Sequence, residues 1–251
     1  MKKIVFTLST MLACMTGVNA QVSSTLFHQK DAFETYPALK TISADVPVKQ
    51  MPEVNVEELL AEDEELAGLD VPFRFGYGFD VSYTLDDGHW TLSDDVNVWD
   101  LKVASSGAYS LNFIFDRLSL AGGAELYIYS TDGSMVYGPV TSADNLPGEN
   151  TPSASDFSSL QQQEESGRLF LTDLVAGDEV IIRLVEPANV PGSSYLRISK
   201  VVHGYVNTFP SLNENELSAA TLSCHNDVAC YSNWTDESDA VALVLLASGD
   251  A

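Results

Sequence analysis

Positive charge is scarce in this chain. Its 251 residues hold 12 lysines and arginines against 36 aspartates and glutamates, a formal net charge of −24. So acidic a surface repels phosphate backbones and anionic headgroups, which argues against nucleic acid or an acidic membrane as a partner. Histidine and cysteine are also rare, at four and three residues. His28, His89, His203 and His225 have no companions at metal-ligand spacing, and the cysteines form no zinc-type pairs. The chain contains no H-E-x-x-H, no G-x-S-x-G and no glycine-rich phosphate loop. No metal and no cofactor are therefore expected. The N-terminal apolar run is too short for a membrane-spanning helix, so no membrane span is expected either.

That run sets the expected compartment. "MKK" reads as a positive n-region and "IVFTLSTMLACM" as an apolar h-region. "VNA" then supplies small residues where a signal peptidase reads, with cleavage after Ala20. A signal peptide over 1–20 predicts export, periplasmic or extracellular. A lipoprotein would use Cys14, but "MLAC" does not match the usual small-residue box. Cys224 and Cys230 remain after cleavage. Export permits disulfides, and their spacing allows a local bridge without requiring one.

Residues 21–52, punctuated by Pro37, Pro47 and Pro52, read as an extended leader with little structure of its own. "EVNVEELLAEDEELAGLD" follows, with Val56, Leu59, Leu60 and Leu66 at helical spacing and a dense acidic face. It reads as a solvated helix or linker, with docking against a basic surface as the functional alternative. The leader and acidic helix together span 21–69.

From Phe73 the pattern has period two. "FRFGYGFDVSYTL" ends at the turn "DDG", and "HWTLSDDVNVWDLKVAS", "AYSLNFIFDRLSL", "AELYIYST" and "MVYGPVTS" come after it. A polar loop over roughly 143–166 precedes "RLFLTDL", "EVIIRLVEP" and "YLRISKVVHGYV". About eight closely spaced strands without crossover helices predict a mainly β fold, an antiparallel β-sandwich of jelly-roll type over 70–207. Residues 208–222 read as a linker.

Candidate chemistry within the sandwich is sparse. Asp86, Asp87, Asp94 and Asp95 are oxygen ligands of the kind calcium takes, but paired Asp and Gly also build turns without an ion. Trp90, Trp99, Tyr109 and Tyr127 could stack on sugars, although their alternation with aliphatic residues assigns most of them to the core. His203 is expected on a strand with its ring hydrogen-bonded, and His89 is expected to be exposed. No serine, histidine and aspartate are marked as a triad.

Two stretches resemble one family. "VWDLKVASSGAYSLNFIFDRLSLAGGAELYIYSTDGSMVYGPVTSADN", with "IIRLVEP" and "LRISKVVHGY", resembles the N-terminal pro-region of secreted bacterial proteases of the lysyl endopeptidase type, which are trypsin-like serine proteases. Trp99, Gly107–Ala108, the runs from Ser110 and Gly123, Gly138–Pro139 and Glu186–Pro187 carry the likeness. "SCHNDVACYSNWTDESDAVALVLLASGD" looks like the start of the mature protease. The resemblance implies an incomplete chymotrypsin-like β-barrel over 223–251, with a first strand at 240–247. It implies that Cys224 and Cys230 are half-bridges to cysteines further along the protease. The family's catalytic histidine, aspartate and serine fall beyond the residues given, so the resemblance assigns no catalytic residue here. The implied chain is a partial precursor whose partner is its protease domain in cis. No Lys or Arg follows Lys200, so self-cleavage after lysine in the 208–223 region is impossible. The alternative is a secreted β-sandwich that binds carbohydrate or protein without enzymatic activity.

Overall fold

The computed structural model describes residues 22, 24–26, 32–40, 45–66, 69, 71–144, 169–190 and 192–209. Ala20, Cys224, Cys230, most of the polar loop and the whole of 223–251 lie outside the described residues.

The fold is mainly β. In chain order the elements begin with β1 (Ser24–Leu26), α1 (Ala32–Thr35), β2 (Val48–Gln50) and α2 (Val56–Leu66). The long strands come next: β3 (Gly76–Thr84), the short β4 (His89–Thr91), β5 (Val96–Ala104), β6 (Ser110–Ser119), β7 (Glu125–Ser130) and β8 (Met135–Thr141). Two very short strands, β9 (Phe170–Leu171) and β10 (Val175–Ala176), lead to β11 (Glu179–Pro187) and β12 (Tyr195–Gly204).

These strands form two sheets. The seven-stranded sheet runs β1-β8-β7-β11-β5-β2, with β4 also on β5; the five-stranded sheet runs β10-β6-β12-β3, with β9 also on β6. The pairing is nested: β3 with β12, β5 with β11, β6 with β10, and β7 with β8. A strand ribbon folded back on itself in this way is a jelly roll. The pairs are antiparallel apart from β2, which lies parallel to β5.

Period-two patterning explains the core. Trp99, Leu101 and Val103 of β5 face Leu111, Phe113 and Phe115 of β6 across the sandwich, joined by Val180, Ile182 and Leu184 of β11. Each such side chain buried contributes roughly 1.5–3 kcal/mol of transfer free energy. Gly88, in the expected "DDG" turn, is required by this core. A Cβ there would lie 2.3 Å from the Trp99 ring and 2.6 Å from the Asp100 carbonyl oxygen. Trp99 Nε1 donates to the Leu85 carbonyl at 2.8 Å, which satisfies the buried indole N–H.

The leader departs from expectation. The seven-stranded sheet is apolar on its outer face as well, where Tyr127, Tyr129, Val136 and Ile181 form a second cluster. Left bare, that face would be an exposed apolar patch. Ala32 and Leu39 of the leader are fully buried against it, with Phe33 and Tyr36 packed alongside. Strands β1 and β2 stitch the same segment to β8 and β5. The acidic helix is found at α2, with Leu59 buried and Leu60 and Leu66 exposed. No helix among the described residues is long and apolar enough to cross a membrane.

Candidate functional site

A concavity lies at one end of the sandwich. There the β5–β6 connection, the β7–β8 hairpin, the turn between β10 and β11 and the chain leaving β12 converge. They surround an open cleft of about 500 Å³ lined by Tyr109, Ser130, Asp132, Ser134, Asp178 and Asn207, among others. Backbone hydrogen bonds set the loops: Gly177 N–H donates to the Tyr109 carbonyl at 2.9 Å, and Ser105 N–H to the Asp178 carbonyl at 2.8 Å. Gly177 sits at φ +110°, a conformation that side chains rarely adopt, so the tight turn requires glycine. On the opposite wall Asp132 accepts from Ser134 N–H at 2.9 Å. Burial alone would push the Asp132 carboxyl up; hydrogen bonds from Ser134 and Ser130 outweigh it and hold it below the ordinary range. The cleft thus offers acceptors, suited to cations and hydrogen-bond donors.

Beside the cleft, in the buried interior, lies a Ser–His pair. Ser105 Oγ is 2.7 Å from His203 Nδ1, and both residues are fully buried. His203 Nε2 is buried with no hydrogen-bond partner. Burial drives the imidazole pKa below its usual 6.5, against the opposing pull of Asp178. The serine bonds one ring nitrogen, but no substrate carbonyl can reach a sealed hydroxyl. The expectation of a strand histidine with a bonded ring is met.

The other predicted residues separate. Asp87 is a local cap, not one of a set of ligands: it accepts from Thr84 N–H at 2.8 Å and pairs with Lys49 at 2.8 Å. Burial would raise its carboxyl; Lys49 and Thr84 offset this and lower it. Among the described residues no cluster of three or more His, Cys, Asp or Glu could hold a metal. Of the four aromatic residues considered for sugar stacking, Trp99 and Tyr127 are buried, Trp90 is half-buried, and Tyr109 alone is exposed, at the cleft. His89 is half-buried in β4, less exposed than expected.

The strongest electrostatic feature is one that sequence reasoning passes over. Arg183 of β11 lies directly opposite Asp100 of β5. Its Nε and Nη2 donate to the two carboxylate oxygens at 2.7 Å each, and Nη1 donates to the Ala38 carbonyl of the leader at 2.5 Å. The guanidinium also lies 5.8 Å from the centroid of the Tyr129 ring. A signal exists in the sequence: "VWDL" and "IIRLV" each place one charge within an apolar run, the two of opposite sign, and such charges are buried only when paired.

No family model matches the chain. Among solved structures, the insecticidal crystal protein Cry2Aa is similar over 51% of this chain and 21% of its own length, with 10% identity and a TM-score of 0.23. So remote a likeness identifies neither a family nor a function.

Proposed function

We propose that this chain is the N-terminal part of a secreted trypsin-like serine endopeptidase precursor, with the β-sandwich as a pro-domain that assists folding of the protease or holds it inactive. The resemblance in "VWDLKVASSGAYSLNFIFDRLSLAGGAELYIYS" and in the two-cysteine segment supports this reading. One structural observation carries it furthest: leader and sandwich are knitted into a single unit through β1, β2 and the buried Leu39. A region built in this way can fold ahead of a protease domain C-terminal to it and act as a template. A double β-barrel, rich in non-local contacts, folds slowly enough to gain from one.

On this reading the chemistry belongs to the protease domain, where a histidine base activates a serine and backbone N–H groups hold the oxyanion. The sealed Ser105–His203 pair takes no part. The test is refolding of the complete protease domain with and without residues 21–222. Supplying the pro-region should raise the yield of active enzyme or inhibit the folded enzyme stoichiometrically. Equal yields and no inhibition would remove the proposal. A second reading, a secreted binding module, draws on the acceptor-lined cleft with the exposed Tyr109. Glycan-array binding abolished by Tyr109→Ala would favour it.

A further inference from the structure

Most edges of the two sheets are blunt. Strands β1, β2 and β4 have three residues each, and β9 and β10 have two. Short edge strands are a common protection against unwanted pairing. Strand β3 is the exception: it spans nine residues and, among the described residues, pairs on one side only, with β12. Its sequence GYGFDVSYT contains no Lys, Arg or Pro. The register shift against β12 falls opposite Val81 and Ser82, which leaves 76–80 as a regular open stretch.

The approach to this edge is apolar. Leu69, Val71 and Phe73 are 60%, 48% and 58% exposed along the segment that joins α2 to β3, and Tyr77, within β3, is 44% exposed. Tyr77 makes an edge-to-face contact with Phe79, ring centroids 5.1 Å apart, which pre-sets an aromatic step along the strand. The N-terminal end of the edge is also acidic. Helix α2, VEELLAEDEEL, is acidic at six of its eleven residues and carries no basic one. Arg74 anchors it there, donating to Asp63 at 2.8 Å and to the Leu59 carbonyl at 3.0 Å, while Tyr205 Oη donates to Asp63 at 2.7 Å.

We infer that the open edge of β3 is a docking site for an extended, positively charged segment of a partner protein, which adds as a further strand. Main-chain hydrogen bonds to 76–80 supply the affinity, and alternate apolar side chains rest on Phe73 and Tyr77. Charge selects the partner. A second copy of this chain would set −24 against −24, whereas a basic segment is drawn to α2. The inference does not depend on the pro-domain reading.

The probe is a fluorescent octapeptide alternating valine and lysine, titrated into the full chain and read by anisotropy together with amide hydrogen exchange. Three results are expected. The peptide binds with a salt-sensitive affinity, the β3 amides gain protection, and Phe73→Lys or Tyr77→Lys weakens binding on the order of tenfold with unchanged circular dichroism. A peptide N-methylated on alternate residues should not bind, which keeps the test valid should a variant fold poorly. Equal binding of a valine–glutamate peptide, equal binding of the N-methylated peptide, unchanged β3 exchange, or no binding at about millimolar peptide would each overturn the inference. So would a β3-paired dimer that excludes the peptide in sedimentation.

Discussion

The two sheets each carry an Arg–Asp pair across neighbouring strands, in opposite settings. Arg183–Asp100 lies on the outer face of the seven-stranded sheet, almost fully buried beneath the leader. Arg197–Asp116 lies on the five-stranded sheet and is about a quarter exposed on each side chain. The geometry is similar and the energetics are not. A buried pair costs much to desolvate and cannot lose one partner; a partly exposed pair keeps some solvation and is screened. The leader creates the difference by excluding water from one sheet and leaving the other with an open margin.

The largest effect should come from breaking the sealed pair. Asp100→Ala strands the Arg183 guanidinium and should cost about 3–5 kcal/mol in urea unfolding. Asp116→Ala should cost about 1 kcal/mol or less. Replacing both members of the sealed pair, Asp100→Leu with Arg183→Met, should recover most of the loss. If the two single variants cost the same, the contrast between the sheets collapses.

The cover comes next. Leu39→Ala leaves a cavity over Tyr129 and Ile181 and should cost about 2–5 kcal/mol. Leu60→Ala, on the exposed face of α2, should stay within about 0.5 kcal/mol. Comparable thermal shifts in these variants would mean that the leader is no more integral than the acidic helix.

A smaller effect tracks pH. His203 is held neutral by burial, with a folded pKa below 6.5, while in the unfolded chain it titrates near 6.5. Below that pH the unfolded state binds a proton that the folded state does not. The stability present above pH 6.5 is therefore lost as pH falls toward the folded value. Urea midpoints between pH 8 and 5 should show that slope, and His203→Asn should flatten it. Asp87 and Asp132 lose their contributions only in stronger acid, because their carboxyls sit below the ordinary 3.8. The smallest effect belongs to Asp80→Ala. Its pair with Lys200 involves a carboxylate 88% exposed, and the change should be within about 0.5 kcal/mol.

Much of this was legible in the sequence, unevenly. Strands from Phe73 onward announce themselves because one face meets the core and imposes period two. Helix α2 shows its helical pattern, whereas the nested strand order rests on long-range pairs, β3 with β12 and β5 with β11, that turn spacing does not carry. The leader is illegible for a physical reason. Ala32 and Leu39 are buried by an outer face whose apolar character appears only once Tyr127, Tyr129 and Ile181 are known to share it. Alternation within β7 and β11 is hidden because both of their faces are apolar. At the candidate site, His203 is readable as a strand histidine, but Ser105 is not readable as its partner. They are 98 residues apart, and only the return of β12 beside β6 brings them together.

The contrast between the sheets rests on the leader being part of the fold, and amide hydrogen exchange of the full chain measures this most directly. The backbone N–H groups of Tyr36, Leu39 and Lys40, which donate within the leader turn or remain covered by it, should be protected together with those of β11, while the outward amides of 76–80 exchange quickly. Rapid exchange through 32–40 while β11 stays protected would contradict the account, because the leader would then be a loose attachment and the Arg183–Asp100 pair would lie open to water.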